Sequence, residues 1–199
     1  MSTAPDRLVE FGTSIALPGQ TVTLTATPGP SLPLTWGTLT IADPWWPDYP
    51  DGPIELLGRG EHPTVFPTIV VDVDRKPDPV EMSCAAAVGP LDRVVSWQPV
   101  LHREAHFHLD SDSALGAFFD INEEEVLRPL FTDDEHMQGV YNRALEERVV
   151  TMEADGRVVA VVFLCPDGSG LYPAWTGYDK DMQAVAVLVD LKLLDDAVT

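Results

Sequence analysis

The sequence predicts a β-rich α+β fold of mostly antiparallel, sandwich-like sheets, with one main helix near residues 133–147. Three observations carry that expectation. Short runs alternate apolar residues with hydroxyls at the period of a half-buried strand, as in Thr21-Val22-Thr23-Leu24-Thr25. The chain holds 18 prolines in 199 residues, nearly twice the usual share of about 5%, and proline lacks the backbone donor that helices and central strands use. Only one segment sustains a long apolar stripe at helical spacing. The length and a hydrophobic share of 45% fit one domain over 1–199, with a core at about 11–194 and ends that fray.

Taken in order, "TVTLTATPG" and "WGTLTIADP" read as strands separated by the turn segment "TPGPSLP", the second closed by Asp43-Pro44, where the ring ends pairing. "WWPDYPDGP" (45–53) carries three prolines in nine residues and is a loop. It either displays Trp45, Trp46 and Tyr49 to a small molecule or folds them onto the core. "HPTVFPTIVVDVD" (62–74) and "EMSCAAAVG" (81–89) are strands joined by the turn "RKPDP", and "RVVSWQPV" (93–100) is another. "REAHFHLD" (103–110) also alternates, placing Ala105, Phe107 and Leu109 on one face and Glu104, His106, His108 and Asp110 on the other.

A short helix over "NEEEVLRPL", with Asn122 as its cap, precedes the main one. The main helix opens with Thr132 as N-cap and Glu135 completing a capping box. Met137, Val140, Tyr141, Ala144 and Leu145 form its apolar stripe. "ERVVTMEADGRVVAVVFLC" is a hairpin turning at Asp155-Gly156, and "QAVAVLVDL" is the last strand.

Charge narrows the function. A net charge of −20 opposes binding to nucleic acid, whose phosphates it repels, and to anionic membranes. It leaves a basic partner, a cation, or plain solvation. Cys84 and Cys165 are the only cysteines and have no CxxC spacing, so neither a disulfide scaffold nor a zinc knuckle is expected. The start "MSTAPDRLVEFG" has no basic head or apolar run, and no uncharged apolar stretch approaches the ~20 residues a bilayer needs. The expectation is a soluble, cytoplasmic protein.

Two polar clusters could carry chemistry. In "HFHLDSDSALGAFFD" the imidazoles of His106 and His108, with Asp110 and Asp112, are candidate ligands for a divalent cation. The stretch is not an EF-hand, since Leu115 and Ile121 occupy the positions that need glycine and glutamate. In "CPDGSGLYPAWTGYD" (165–179), Asp167, Tyr172 and Asp179 lie among glycines. Asp112, Asp120, Asp167, Asp179 and Tyr172 are the acid–base candidates. Their bland alternative is that aspartates in turns bond to their own backbone. No GxSxG or phosphate-binding GxxxxGK[ST] occurs. Cys84 sits in an apolar run, which leaves Cys165 as the better nucleophile of the two.

The order of "GTLTIADP" (37–44), "RGEHPTVF" (59–66), "DSALGAFFD" (112–120), "PDGSGLYPAWTGYD" (166–179) and "VLVDL" (187–191) resembles an uncharacterised bacterial domain-of-unknown-function family. That family's motifs are G-x-L-x-x-x-D-P, D-x-G-x-G-x-F-x-D and G-D-G-x-Y-P-x-x-x-G-x-D. The resemblance implies that Asp43, Asp112, Gly116, Asp120, Asp167, Tyr172, Gly177 and Asp179 mark the site. The sequence departs from the pattern at Ala114 and Pro166, where glycine is expected, at two extra residues before Tyr172, and at Leu191. The family carries no assigned activity, so the resemblance implies a place and no reaction.

Two functions follow as expectations. The first is an acidic binding protein, immunity-type or regulatory, that masks a basic partner. The alternative is a metal-assisted, hydrolase-like enzyme with a carboxylate-rich pocket formed by the 106–120 and 167–179 loops. A small-molecule binder using the aromatic loop is the third. The enzyme reading requires the two aspartate-and-glycine corners to meet at one end of the molecule.

Overall fold

The computed structural model describes residues 5–17, 20–45, 54–73 and 78–192. Trp46 and Tyr49 of the aromatic loop, residues 75–77 of the "RKPDP" turn, and residues 1–4 and 193–199 of the ends lie outside these residues. Within the first ten residues, expected to fray, Pro5–Val9 instead form a 3₁₀ turn with Leu8 fully buried.

In chain order the strands are β1 (Ser14–Leu17), β2 (Gln20–Leu34), β3 (Thr38–Ala42), β4 (Ile54–Leu56), β5 (Gly60–Val73), β6 (Val80–Ser83), β7 (Ala85–Val88) and β8 (Ser96–Pro99). Then come β9 (Leu101–His102), β10 (Ala105–His106), β11 (His108–Ser111) and β12 (Leu115–Asp120). Helices α1 (Glu124–Phe131) and α2 (Asp134–Glu147) follow, and β13 (Val149–Ala154), β14 (Arg157–Leu164), β15 (Gly170–Tyr178) and β16 (Ala184–Asp190) complete the fold.

The strands form two antiparallel sheets and a lateral hairpin. The larger sheet has the order β1-β2-β5-β7-β16-β15-β11, with β6 beside β5 and β8 beside β15. The smaller has the order β13-β14-β12-β3-β4, and β9 pairs with β10. Alternation along each strand decides which faces meet. Leu32, Phe66 and Val187 of the larger sheet pack against Ile41, Phe118 and Phe163 of the smaller. The Phe163 ring sits 5.0 Å from Phe118 and 6.3 Å from Phe66, in the tilted geometry that aromatic pairs prefer.

Both sheets are covered on the outside too. Leu115, Ala117 and Phe119 of β12 meet Leu127 and Phe131 of α1 and Met137, Val140 and Ala144 of α2. Strand β12 is therefore buried on both faces, which is why "LGAFF" reads as a continuous apolar run rather than an alternating one. On the far side, Val22, Leu24, Ile69 and Leu188 pack with Leu8 of a short 3₁₀ turn, Pro5–Val9. The sandwich thus gains a helical layer on the smaller sheet.

Several local expectations shift. The "TPGPSLP" segment does not end a strand: β2 runs through it to Leu34 along β5, with only a register irregularity between Pro28 and Ser31. Asp133, not Thr132, caps α2, its carboxylate accepting from His136 N at 3.0 Å, while the Thr132 hydroxyl donates to Arg128 O and closes α1. Asp120, not Asn122, caps the 3₁₀ turn that leads into α1. Leu145 is exposed, because the buried stripe of α2 is Met137, Val140 and Ala144. The segments 81–89 and 93–100 are also interrupted: Cys84 divides β6 from β7, and a 3₁₀ turn precedes β8. The Asp155-Gly156 turn is as expected, with both residues at positive φ (52° and 74°), the type I′ geometry that matches strand twist.

Two corrections are larger. The 167–179 segment, expected as a loop, is mostly the nine-residue strand Gly170–Tyr178 inside the larger sheet, and most of 106–120 is strand as well. The 103–110 segment is not one strand. Arg103 and Glu104 both adopt positive φ (50° and 66°) and form a two-residue turn between β9 and β10. Glu104 therefore leaves the predicted row. The cause is non-local: β11 pairs with Gly170–Pro173 of β15 and β8 with Trp175–Tyr178 of the same strand. Residues 100–107 bud out where these two collinear strands meet: Val100 N donates to Ala174 O, Ala174 N donates to Phe107 O, and Phe107 N donates to Val100 O, which closes the base of the hairpin.

Candidate functional site

Asp43 ends β3 beneath the turn that joins β11 to β12. Its Oδ2 accepts from Asp112 N and Ser113 N, each at 2.8 Å, and its Oδ1 accepts from Ser113 Oγ at 2.6 Å and Trp45 N at 2.9 Å. The carboxylate is buried, and these four donors occupy both oxygens. It staples two loops and has no capacity left for a substrate. The turn itself needs a left-handed residue, and Ala114 supplies it at φ 63°. The family pattern has glycine there; this chain keeps the conformation without the residue that adopts it freely.

Gly116 serves packing. A methyl group on it would sit 2.4 Å from the Phe163 ring and 2.8 Å from Leu109, so only hydrogen fits.

The second corner meets the first. Cys165 N donates to Ala114 O at 2.8 Å, and Ser169 Oγ donates to Asp112 O at 2.8 Å. Gly168 turns at φ 85°, and the buried Tyr172 hydroxyl donates to its carbonyl at 2.6 Å. Burial pushes the Tyr172 phenol well above its ordinary range, with nearby Cys165 and Asp167 adding to the effect. The Cys165 thiol, buried beside the Ser111 hydroxyl, is pushed up to about 12, mainly by desolvation. Cys84 is likewise pushed up to about 12 by burial and by Asp190. Both thiols stay protonated near neutral pH and are poor nucleophiles.

The candidate carboxylates do not share one pocket. Asp112 and Asp167 are exposed where the corners meet. Asp120 is the far-end residue of β12, whose residues rise about 3.3 Å each, and Asp179 lies just past the longer β15. Each of these two has a structural task. Asp120, fully buried, accepts from Trp36 N at 2.6 Å, Thr38 Oγ1 at 2.5 Å and Asn122 N at 3.1 Å. Asp179 accepts from Gln183 N and Asp181 N and pairs with Arg93 at 3.0 Å. The Gln183 N–H first, then Asp181 N–H and the Arg93 guanidinium, hold its carboxyl below the usual range.

The histidines sit elsewhere, on the outer face of the larger sheet. His106 and His108 have ring centroids 4.8 Å apart, and His106 meets Trp175 edge-on at 4.8 Å. His106 Nε2 bonds Ala174 O at 2.9 Å, and His108 Nδ1 bonds His106 O at 3.0 Å. Asp110 continues the row on β11, but Asp112 has turned away to the Asp43 corner. Among the described residues no three His, Cys, Asp or Glu side chains converge to hold a metal ion. Two ring nitrogens of this region, His102 Nε2 and Trp175 Nε1, are buried with no hydrogen-bond partner among the described residues.

Of the aromatic loop, Trp45 is half-buried and packs on Tyr141 of α2 at 6.0 Å, with its indole N–H 3.5 Å from Asp134. Sequence reasoning passed over Trp36, half-exposed beside Arg59 at 5.3 Å and positioned by the Asp120 bond to its amide. Its signal was slight: one tryptophan before a glycine. No protein-family model, curated protein or solved structure matches the chain, so the family resemblance rests on its motifs.

Proposed function

We propose that the chain is an acidic binding protein that recognises a basic protein partner, in an immunity-type or regulatory role. One observation carries the reading: the acidic excess lies on the surface. Acidic side chains outnumber Lys and Arg by 20. Buried Asp43, Asp120 and Asp179 are each engaged by the fold, whereas Glu125, Asp133, Asp134, Glu135 and Glu146 of the helical layer are exposed. Arg128 and Arg143 of that layer already pair with Glu124 and Glu147 one turn away. A surface of this sign accelerates encounter with a basic partner and confers strong salt dependence.

The test is affinity capture from the source cells at low ionic strength, followed by association kinetics on the recovered protein. The expected partner is basic, with an association rate falling at least about tenfold as salt is raised. Recovery of no basic partner, or a rate indifferent to salt, overturns the reading.

A further inference from the structure

We propose that His106 and His108 form an open binding site for a divalent transition-metal ion, with copper(II) favoured. The argument begins with tautomers. The carbonyl oxygens of Ala174 and His106 can only accept hydrogen bonds, so His106 Nε2 and His108 Nδ1 must carry the ring protons. In the neutral rings this leaves His106 Nδ1 and His108 Nε2 as bare lone pairs.

A metal-ligating histidine commonly donates its other N–H to a carbonyl or carboxylate, which fixes the ring and raises its basicity. Both rings already have that outer support before any ion arrives. They are also neighbours, with centroids 4.8 Å apart. Trp175 braces His106 from the side, and β11 is held on β15 by backbone pairing from His108 to Ser111. Little ordering is left for the ion to impose. His108 is exposed and His106 half-buried, so the pair is open to solvent on one side.

The donor set selects the ion. Imidazole suits copper, nickel and zinc, with copper(II) bound most tightly, whereas magnesium and calcium prefer oxygen ligands. Since no third protein ligand converges among the described residues, water or a group on a partner completes the coordination. The surrounding charge of −20 concentrates cations at the surface without choosing among them. The site does not depend on the basic-partner reading and stands or falls separately.

The experiment is isothermal titration of the tag-free full chain with CuCl₂, ZnCl₂, MgCl₂ and CaCl₂, with electron paramagnetic resonance of the copper form. Expected are saturable copper binding with nitrogen hyperfine coupling, weaker zinc binding, and no binding of magnesium or calcium. His108→Ala and His106→Ala each weaken copper binding at least about tenfold, the scale on which even outer-shell losses act. His136→Ala, which removes an exposed helical imidazole, changes nothing. His106→Gln, checked by circular dichroism, separates loss of the ligand from loss of the fold around Trp175. Absence of copper binding in the native chain, unchanged affinity in both His108→Ala and His106→Gln, or an equal loss in His136→Ala overturns the proposal.

Discussion

The Asp43 corner and the histidine hairpin are both polar clusters near the edges of the sandwich, and they differ in what is left over. At the corner, both oxygens of Asp43 accept from four donors, and the peptide oxygens of Asp112 and Ala114 are taken by Ser169 Oγ and Cys165 N. At the hairpin, each ring spends one nitrogen on a carbonyl and keeps the other. Residue type does not distinguish the two regions, since aspartate and histidine are equally plausible ligands. Spare hydrogen-bonding capacity does. A saturated carboxylate holds the fold together, and a half-used imidazole can still bind something.

The sharpest way to break this comparison is to remove the saturated group. Asp43→Ala strands three backbone donors, Trp45 N, Asp112 N and Ser113 N, in a part-buried setting. At about 1–3 kcal/mol for each unsatisfied buried group, partly relieved by water, a loss of about 3–5 kcal/mol is expected in urea unfolding. Asp43→Asn retains one acceptor oxygen and should lose less. A stable Asp43→Ala variant would mean that the corner does not need its staple. Gly116→Ala comes next, because its new methyl group meets the Phe163 ring and Leu109 inside β12. Overpacking of this kind costs about 1–3 kcal/mol, read as a lowered unfolding midpoint with an unchanged slope.

The sequence made the sheet elements legible where the signal is local. Asp155-Gly156 names its own turn type, and the apolar run of "LGAFF" matches a strand buried on both faces. Pairing between distant segments was not legible. Nothing within 103–110 says that β15 will be shared end to end by β8 and β11, and that sharing forces the turn at Arg103-Glu104. The site divides in the same way. Aspartates near glycines were recognisable as corner residues, and the meeting of Asp112 with the 165–170 loop matches the expectation. The lengths of β12 and β15 then carry Asp120 and Asp179 away from it. Asp43 could be picked out by its motif, but its partners lie about seventy residues further on.

Cys165 tests whether the corner is inert as well as saturated. Its thiol is raised from an ordinary 9.0 to about 12 by burial. Between those values the unfolded chain releases a proton that the native state retains, so stability is complete below pH 9 and declines as pH rises towards 12. The slope is on the order of 1 kcal/mol per pH unit for this thiol. Urea midpoints measured from pH 8 to pH 11 should fall, and Cys165→Ala should flatten the fall by its share, with Cys84 accounting for a similar part. Iodoacetamide at pH 8 should leave both thiols unmodified until urea is added. Rapid alkylation of Cys165 in the native chain would return it to the list of reactive groups.

The smallest effect separates strain from function at the two turns. Ala114 holds φ 63° at the saturated corner, where glycine would adopt that conformation without a side-chain clash. Ala114→Gly relieves about 1 kcal/mol of left-handed strain but adds backbone freedom to the unfolded chain, so a net stabilisation of a few tenths of a kcal/mol is expected. Arg103 and Glu104 hold φ 50° and 66° at the hairpin tip, and Arg103→Asn with Glu104→Gly supplies the pair that a type I′ turn favours. Both changes should raise the melting temperature slightly. Their effects on copper binding should differ: the hairpin change alone lies two residues from His106 and can shift its affinity, while Ala114→Gly leaves it untouched. If the corner substitution altered copper binding, the two regions would be coupled, and saturation would no longer tell a structural cluster from a binding one.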